Sequence, residues 1–463
     1  MIGEDVLFLP VRELAERLRT RVLSPVELTE AYLDRSRTIG ARLNAYVTLT
    51  PELARAEARQ AEAEIAAGRY RGLLHGIPYA AKDLLALHGY PTTWGARPFA
   101  DQRFDYDATV IQKLRQAGAI LIGKAAMIEL AGGMNYRFAS ASITGATHNP
   151  WNADCWTCGS SSGSGAIAAA ALAAFAIGTE TWGSILCPSA FCGVSGLRPT
   201  YGRVSRHGAM ALAFSMDKIG PLARTADDCG IVLSAIAGHD PADAASLPDG
   251  AFAYGAAPSQ PLRIGWLTNA WKNLPAPVES AVNEARRVLG EAGAHITPAE
   301  LPEGPWEVAA GVVVSVEGAS AFGDLIDSGR VAQLADPLGR INGYVNQQIP
   351  ASDYLRAQRI RGILQRRIDT LFEKFDVLAA ASQPVTATPL STNLETGLEY
   401  ADPLGGIGNF CGLPAISVPC GFVGGLPVGV QFVGRAYNDL SVIGAARIFQ
   451  QNTDWHRRRP PLA

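Results

Sequence analysis

The chain has 463 residues, with 40 Lys and Arg against 43 Asp and Glu for a formal charge of −3, and seven cysteines. A chain this long buries roughly three quarters of its unfolded surface, so core is not limiting, and near-balanced charge without a Lys/Arg block argues against nucleic acid or a membrane as partner. An odd cysteine count in a long chain suits reduced thiols better than a disulfide framework. The N-terminal "MIGEDVLFLP" has no basic region followed by an apolar stretch and a cleavage site, which reads as cytoplasmic.

Helical text comes first. In "SPVELTEAYLDRSRTIG", Ser24 reads as an N-cap, Pro25 as the first helical residue and Glu27 as the closing member of a capping box. A second helix runs from about Pro51 to Gly68. The glycine- and proline-punctuated "LLHGIPYAAKDLLALHGYPTTWGA" follows, with a short strand ending at Lys82. "DATVIQKLRQAGAILIGKA" is a helix closed by Gly118 and then a strand, an alternation typical of a mixed or parallel sheet. The apolar run 166–177 is too short for a bilayer and reads as a buried helix. Residues Leu247 to Pro261 read as a connector. "LRIGWL" is then a strand, "ESAVNEARRVLGEAG" a helix, "HITPAEL" a strand, and 303–373 mostly helix. "GLPAISVPCGFVGGLPVGVQFVGR" holds two strands about a glycine turn.

The chemistry concentrates in two places, "CGSSSGSG" at 158–165 and "ETWGSILCP" containing Ser184. A nucleophilic serine needs a base, usually histidine, and no histidine lies near either stretch. Gly159, Ser161 and Gly163 satisfy a GxSxG elbow, but the preceding "HNPWNADCWTC" reads as loop where an elbow requires a buried strand. A phosphate cradle lacks its GK[ST] and its strand. Cys155 and Cys158 form a CxxC with no second CxxC, and the next thiols, Cys187 and Cys192, lie beyond the serines, so neither zinc nor a redox role is expected.

"HGIPYAAKD", "CGSSSGSGAIAAAA", "GTETWGSILCPSAFCGVSGLRPTYGRVSRHG", "GLPAISVPCGF" and "GLPVGVQFVGR" resemble, in order, the motifs of the amidase signature family. The resemblance runs from about residue 10 to the C-terminus. It implies an α/β fold, a mixed sheet flanked by helices on both faces, as a single domain over 1–463: a helical segment 1–70, a signature core 71–240, and a second part 262–463 that completes the sheet. It also implies hydrolysis of amide and related acyl bonds by a Ser, Ser, Lys triad in which one serine follows a cis peptide.

Carried over by position, Ser184 matches the nucleophile, Ser160 the serine after the cis bond and Lys82 the base. Lysine, with an ordinary pKa of ~10.4, serves as a base only if burial lowers that value, so Lys82 is expected to be buried. The N–H groups of Thr181, Trp182, Gly183 and Ser184 are expected to face the oxyanion. Glu180 and Asp83 are read as structural, and His75, His88, His148 and His207 as packing or hydrogen-bonding groups. No cofactor or metal is expected, and the expected partners are a small-molecule substrate and, at most, a second copy in a homodimer.

The chain departs from the family where many members read two glycines and then "SIR". Here Trp182, Gly183, Ser184, Ile185 and Leu186 lose one glycine and the arginine. Trp182 and Leu186 make that neighbourhood bulkier and more apolar, and Met134 falls where relatives meet substrate. Neutral, apolar or aryl amides, esters or carbamates (urethanes) are therefore the expected substrates. The alternative is the glutaminase (A) subunit of a transfer RNA amidotransferase, which would be expected to keep the arginine. A non-catalytic scaffold sits badly with the intact serines and lysine.

Overall fold

The computed structural model describes residues 2–248, 252–255, 261–397 and 402–462. Its strands are β1 (Tyr46–Leu49), β2 (Pro78–Lys82), β3 (Ile120–Ala125), β4 (His148–Asn149), β5 (Asn152–Trp156), β6 (Phe175–Glu180), β7 (Ser195–Arg198), β8 (Lys218–Ala223), β9 (Arg263–Leu267), β10 (His295–Ala299), β11 (Val377–Ala381), β12 (Ala415–Val423) and β13 (Leu426–Gly434). Among the described residues, eleven of these make one mixed sheet, in the order β1-β3-β2-β6-β8-β7-β12-β13-β11-β9-β10. Helices flank both faces, so the fold is the α/β architecture that the motifs implied.

Ser24 caps helix α1 (Pro25–Arg35) as read, its hydroxyl accepting from the N–H groups of Val26 and Glu27, but it donates to Glu62 and, among the described residues, the expected return bond from the Glu27 side chain is not made. Helix α2 (Pro51–Ala66) buries Ala54, Ala58, Ala61 and Ile65 along one stripe. Helix α3 (Thr109–Gln116) leads through Gly118, at φ +83°, into β3. The 303–373 region is helical as expected, in α4 (Trp306–Ala321), α5 (Gly339–Asn346) and α6 (Ala351–Leu371). Much of the 247–261 connector, at 249–251 and 256–260, lies outside the described residues.

Two readings are corrected. The apolar run 166–177 is not one helix: residues Ser162–Ala169 are helical, Ala171 turns at φ +49°, and the chain re-enters the sheet as β6 from Phe175. Every residue of that run is buried, and a segment apolar on all sides carries no period that separates helix from strand. The 148–156 text read as loop is an antiparallel ribbon of β4 and β5.

The sheet positions the site. Strands β2 and β6 are parallel neighbours, with Tyr79 opposite Phe175 and Ala81 opposite Ile177. Lys82 and the 179–180 segment therefore leave the sheet side by side at the carboxyl ends of parallel strands, the usual place for ligand sites in α/β sheets. The helix at 162–169 enters close to this end because Gly163 has no side chain: a Cβ there would lie 2.3 Å from the Ala45 carbonyl oxygen and 2.5 Å from the Ala126 nitrogen. That approach brings the serine run over Lys82.

Candidate active site

Lys82 is fully buried, and its Nζ donates to three hydroxyls, those of Ser160 at 2.8 Å, Thr179 at 2.9 Å and Ser161 at 3.0 Å. Burial drives its pKa down to about 7, while the more distant carboxylates of Asp217 and Glu180 act in the opposite direction. The peptide between Gly159 and Ser160 is cis, and Ser160 Oγ lies 3.1 Å from Ser184 Oγ, to which it donates. Hydroxyl protons rotate freely between partners. With Lys82 neutral the direction of both bonds can reverse, and a proton has a continuous path from Ser184 through Ser160 to the amine.

The other serines of the run are spent on scaffolding. Ser161 bonds to both the N–H and the carbonyl of Thr179, Ser162 donates to the Ala126 carbonyl and Ser164 to that of Ile177. Only Ser160 reaches Ser184.

Residues 181–184 form a tight turn with Gly183 at φ +79°, a conformation in which a side chain would be strained. Among the described residues, no acceptor takes the N–H groups of Thr181, Trp182, Gly183 or Ser184, leaving donors free beside the Ser184 hydroxyl. Glu180 fixes the turn. One oxygen accepts from the N–H groups of Ile185 and Leu186, and the other is 2.7 Å from Arg198. Burial alone would raise this carboxyl, but the charges of Arg198 and Lys218, with hydrogen bonds from Arg198 and the Leu186 N–H, together hold the pKa below its ordinary value. Thr181 donates to Asp217 at 2.5 Å, and Asp217 also accepts from the backbone of Leu212 and Ala213. A cavity of about 200 Å³ opens here, walled by Thr179, Thr181, Met210, Leu212 and Phe214.

Trp182 is anchored from behind. Its indole Nε1 donates to Asp402 Oδ2 at 3.1 Å, Asp402 Oδ1 caps the Gly405 N–H at the start of α7 (Pro403–Phe410), and the Asp402 N–H donates to Glu307 on α4 at 2.7 Å. Burial raises the Asp402 carboxyl to about 6. Leu186 opens the helix Leu186–Cys192 and is buried in the main core. The Met134 side chain packs against α5 at Gly339 and Gly343.

Asp83 pairs with Lys124 at 2.9 Å and accepts from Thr93. Three of the histidines make their contacts away from the cavity, His75 with Glu64 and the Arg71 N–H, His88 through its N–H to Asp107, and His148 with the Ala153 carbonyl, whereas His207, stacked on Tyr106, also lines the cavity. The reading of all cysteines as reduced thiols is overturned, because Cys158 and Cys187 are joined in a disulfide. They are 29 residues apart, and they meet because the serine run and the Ser184 helix fold against each other. Cys155, the CxxC partner of Cys158, is free and buried.

The sequence profile of the Amidase family matches residues 27–443. The chain belongs to the amidase family. This amidase is 37% identical, over 99% of each chain, to the A subunit of the glutamyl-tRNA(Gln) amidotransferase of Moorella thermoacetica, and 38% identical, again over 99% of each, to its namesake from Acinetobacter baumannii strain AYE. Among solved structures it superposes on the native peptide amidase of Stenotrophomonas maltophilia with a TM-score of 0.85 at 32% identity, covering 98% of both chains. It superposes on a bacterial aryl acylamidase of the amidase signature family with a TM-score of 0.87 at 26% identity, again covering 98% of both. Among the described residues of this amidase no helix is long and apolar enough to cross a membrane.

The three residues singled out by the motifs, Lys82, Ser160 and Ser184, lie in one hydrogen-bonded chain. Thr179, Asp217, Glu307 and Asp402 escaped the sequence reading because each makes its contact with a partner far along the chain, and only Thr179 sits within a quoted motif.

Proposed function

We infer that this amidase is a serine hydrolase that cleaves amide or amide-like bonds, carbamates and esters included, of neutral apolar or aryl substrates through an acyl-enzyme on Ser184. The observation that carries the reading is the unbroken path of 2.8 and 3.1 Å from a buried amine with a pKa near 7 to the Ser184 hydroxyl. Ser184 Oγ attacks the carbonyl carbon as its proton passes to Ser160 and the Ser160 proton to Lys82. The tetrahedral oxyanion accepts from the free N–H groups of the 181–184 turn. Collapse breaks the bond to the leaving group, which recovers the proton along the same path. Water then repeats the cycle against the acyl-serine, and a carbamic acid product loses carbon dioxide afterwards.

The substrate preference rests on Trp182. Its indole occupies the turn where many relatives carry glycine, and its N–H together with the Gly405 N–H engages both oxygens of Asp402. That carboxylate is taken by the protein's own groups, the position where many relatives carry arginine is Leu186, buried in the core, and Arg206 in the cavity wall is already paired with Asp243. A zwitterionic substrate such as glutamine would leave charge unpaired, at a cost of at least ~2 to 3 kcal/mol.

The rival reading, the glutaminase component of an amidotransferase, is supported by the full-length similarity to two such proteins. It carries partner chains and ammonia transfer with it. Assaying the isolated chain on glutamine, a neutral aryl amide and an aryl carbamate separates the two. The aryl substrates should exceed glutamine by about a hundredfold in kcat/KM, and Leu186→Arg should narrow that ratio. Preferred turnover of glutamine, or turnover appearing only with partner chains, would promote the rival. In either case Ser184→Ala should abolish labelling by a fluorophosphonate.

A further inference from the structure

The disulfide joins the two segments that carry the reacting hydroxyls. Cys158 stands two residues before Ser160, and Cys187 stands three residues after Ser184. Across this seam, the two segments are also held by the Ser160 to Ser184 hydrogen bond at 3.1 Å and by a weak contact of the Cys192 thiol with the Thr157 carbonyl at 3.7 Å. Asn149 Nδ2 donates to the carbonyls of Trp156 and Phe191, and Ala168 and Ala169 pack with Ile185 and Cys192, so the disulfide is their covalent tie among several non-covalent ones. Cys158 also adopts φ +63°, a left-handed conformation unusual for a side-chain-bearing residue, at the point where the chain turns into the cis peptide. Cys158 and Cys187 are each 7% exposed, no more than the free Cys411 at 7% and close to the free Cys155 at 6%.

We propose that the Cys158–Cys187 disulfide is a positioning element for the Ser160–Ser184 couple, and that its reduction lowers turnover, so that the activity follows the thiol redox state of the surroundings. This rests on the assignment of Ser184 and Ser160 in the proposed function. A misplacement of about 1 Å between reacting groups can cost on the order of a hundredfold in rate, and the disulfide is the covalent constraint on that separation. Reduction needs a dithiol as co-reactant. One of its thiolates attacks a protein sulfur and displaces the other as thiolate, giving a mixed disulfide. Its second thiol then closes the reagent's own disulfide. The dithiol loses two electrons and two protons, and Cys158 and Cys187 gain them as two thiols.

The test uses the whole protein in two states, oxidised and treated with dithiothreitol, each verified by peptide mass mapping of the 158–187 link. For each state one measures the thermal midpoint, kcat and KM on a neutral aryl amide, and the rate at which a fluorophosphonate labels Ser184. Reduction should lower kcat and the labelling rate at least tenfold with KM nearly unchanged, and reoxidation should restore both. The double substitution Cys158→Ser, Cys187→Ser should sit at the reduced level and ignore dithiothreitol. Equal labelling rates in the two verified states would overturn the proposal while leaving Ser184 as nucleophile. Absence of labelling at Ser184 in both states would instead sink the functional reading beneath it. An oxidised protein in which mapping finds no 158–187 link also overturns the proposal. If the double variant does not fold, the reduced and reoxidised wild type decides alone.

Discussion

Two lysines stand fully buried on adjacent parallel strands, Lys82 ending β2 and Lys124 in β3, where Ala81 is the register partner of Lys124. Lys124 faces a carboxylate, Asp83 at 2.9 Å, with the Thr92 hydroxyl also at 2.9 Å. Lys82 faces only hydroxyls in direct contact. Burial lowers the pKa of both, but at Lys124 the Asp83 carboxylate opposes it by charge and by hydrogen bond, whereas at Lys82 the opposing carboxylates of Asp217 and Glu180 are distant. Desolvation alone therefore does not make a base. In the proposed mechanism Lys82 can act as one because its near neighbours are dipoles that accept either protonation state, whereas the Asp83 carboxylate beside Lys124 favours the charged form there.

The largest expected effects follow from exchanging these environments. Lys82→Met should cost about two to four orders of magnitude in kcat, as removal of a general base does, with no loss of thermal stability because no carboxylate is left unpaired beside it. Lys124→Met should do the reverse: stability falls by about 3 to 5 kcal/mol in urea unfolding as Asp83 loses its cation in the interior, while the folded fraction retains the Lys82 base. Equal losses of activity in both variants would erase the distinction.

A smaller effect, about ten- to a hundredfold in kcat, is expected for Glu180→Gln, because the amide carries no full charge opposite Arg198 and grips the Ile185 and Leu186 N–H groups more weakly. A KM close to wild type would mark this as displacement of the turn rather than lost binding.

The smallest effect is the most specific to the comparison. Lys82 must be neutral to accept a proton, and its pKa is about 7, so kcat/KM should fall as pH drops through that value and level off above it. The Thr179 hydroxyl accepts from the ammonium form and favours it, so Thr179→Val should move the midpoint down by about half a unit to one unit. An upward move would mean that the hydroxyl stabilises the neutral amine, and a flat profile between pH 6 and 8 would remove lysine as the base.

Much of this was legible in the sequence because it is local. The Ser24 cap, the Gly118 turn and the glycine turn between β12 and β13 are written in neighbouring residues, and the motifs place Lys82, Ser160 and Ser184 with their short flanks. What escaped depends on distance. Trp182 reads as bulk, but its tie to Asp402, 220 positions away, has no local sign, and the link between Cys158 and Cys187 exists only once two motifs are folded together. The alanine-rich 166–177 run failed for a different reason, its uniform burial leaving no face to distinguish.

The helices between β10 and β11 are fastened over the site in one recurrent manner. Glu129 accepts from the N–H groups of Ala335 and Asp336, Asp336 from those of Arg137 and Phe138, Glu317 from Ser215 and Glu307 from Asp402. Each clasp holds main chain, and every residue except proline offers the same N–H. Apart from Asp336 and Asp402, whose own carboxylates hold other groups, side chains at the clasped positions are thus free to drift over evolutionary time, or to be randomised in a library, without loosening these clasps. Variation in what the enzyme admits can then accumulate while the lysine and its serines stand untouched, provided the four carboxylates stay and no proline enters opposite them.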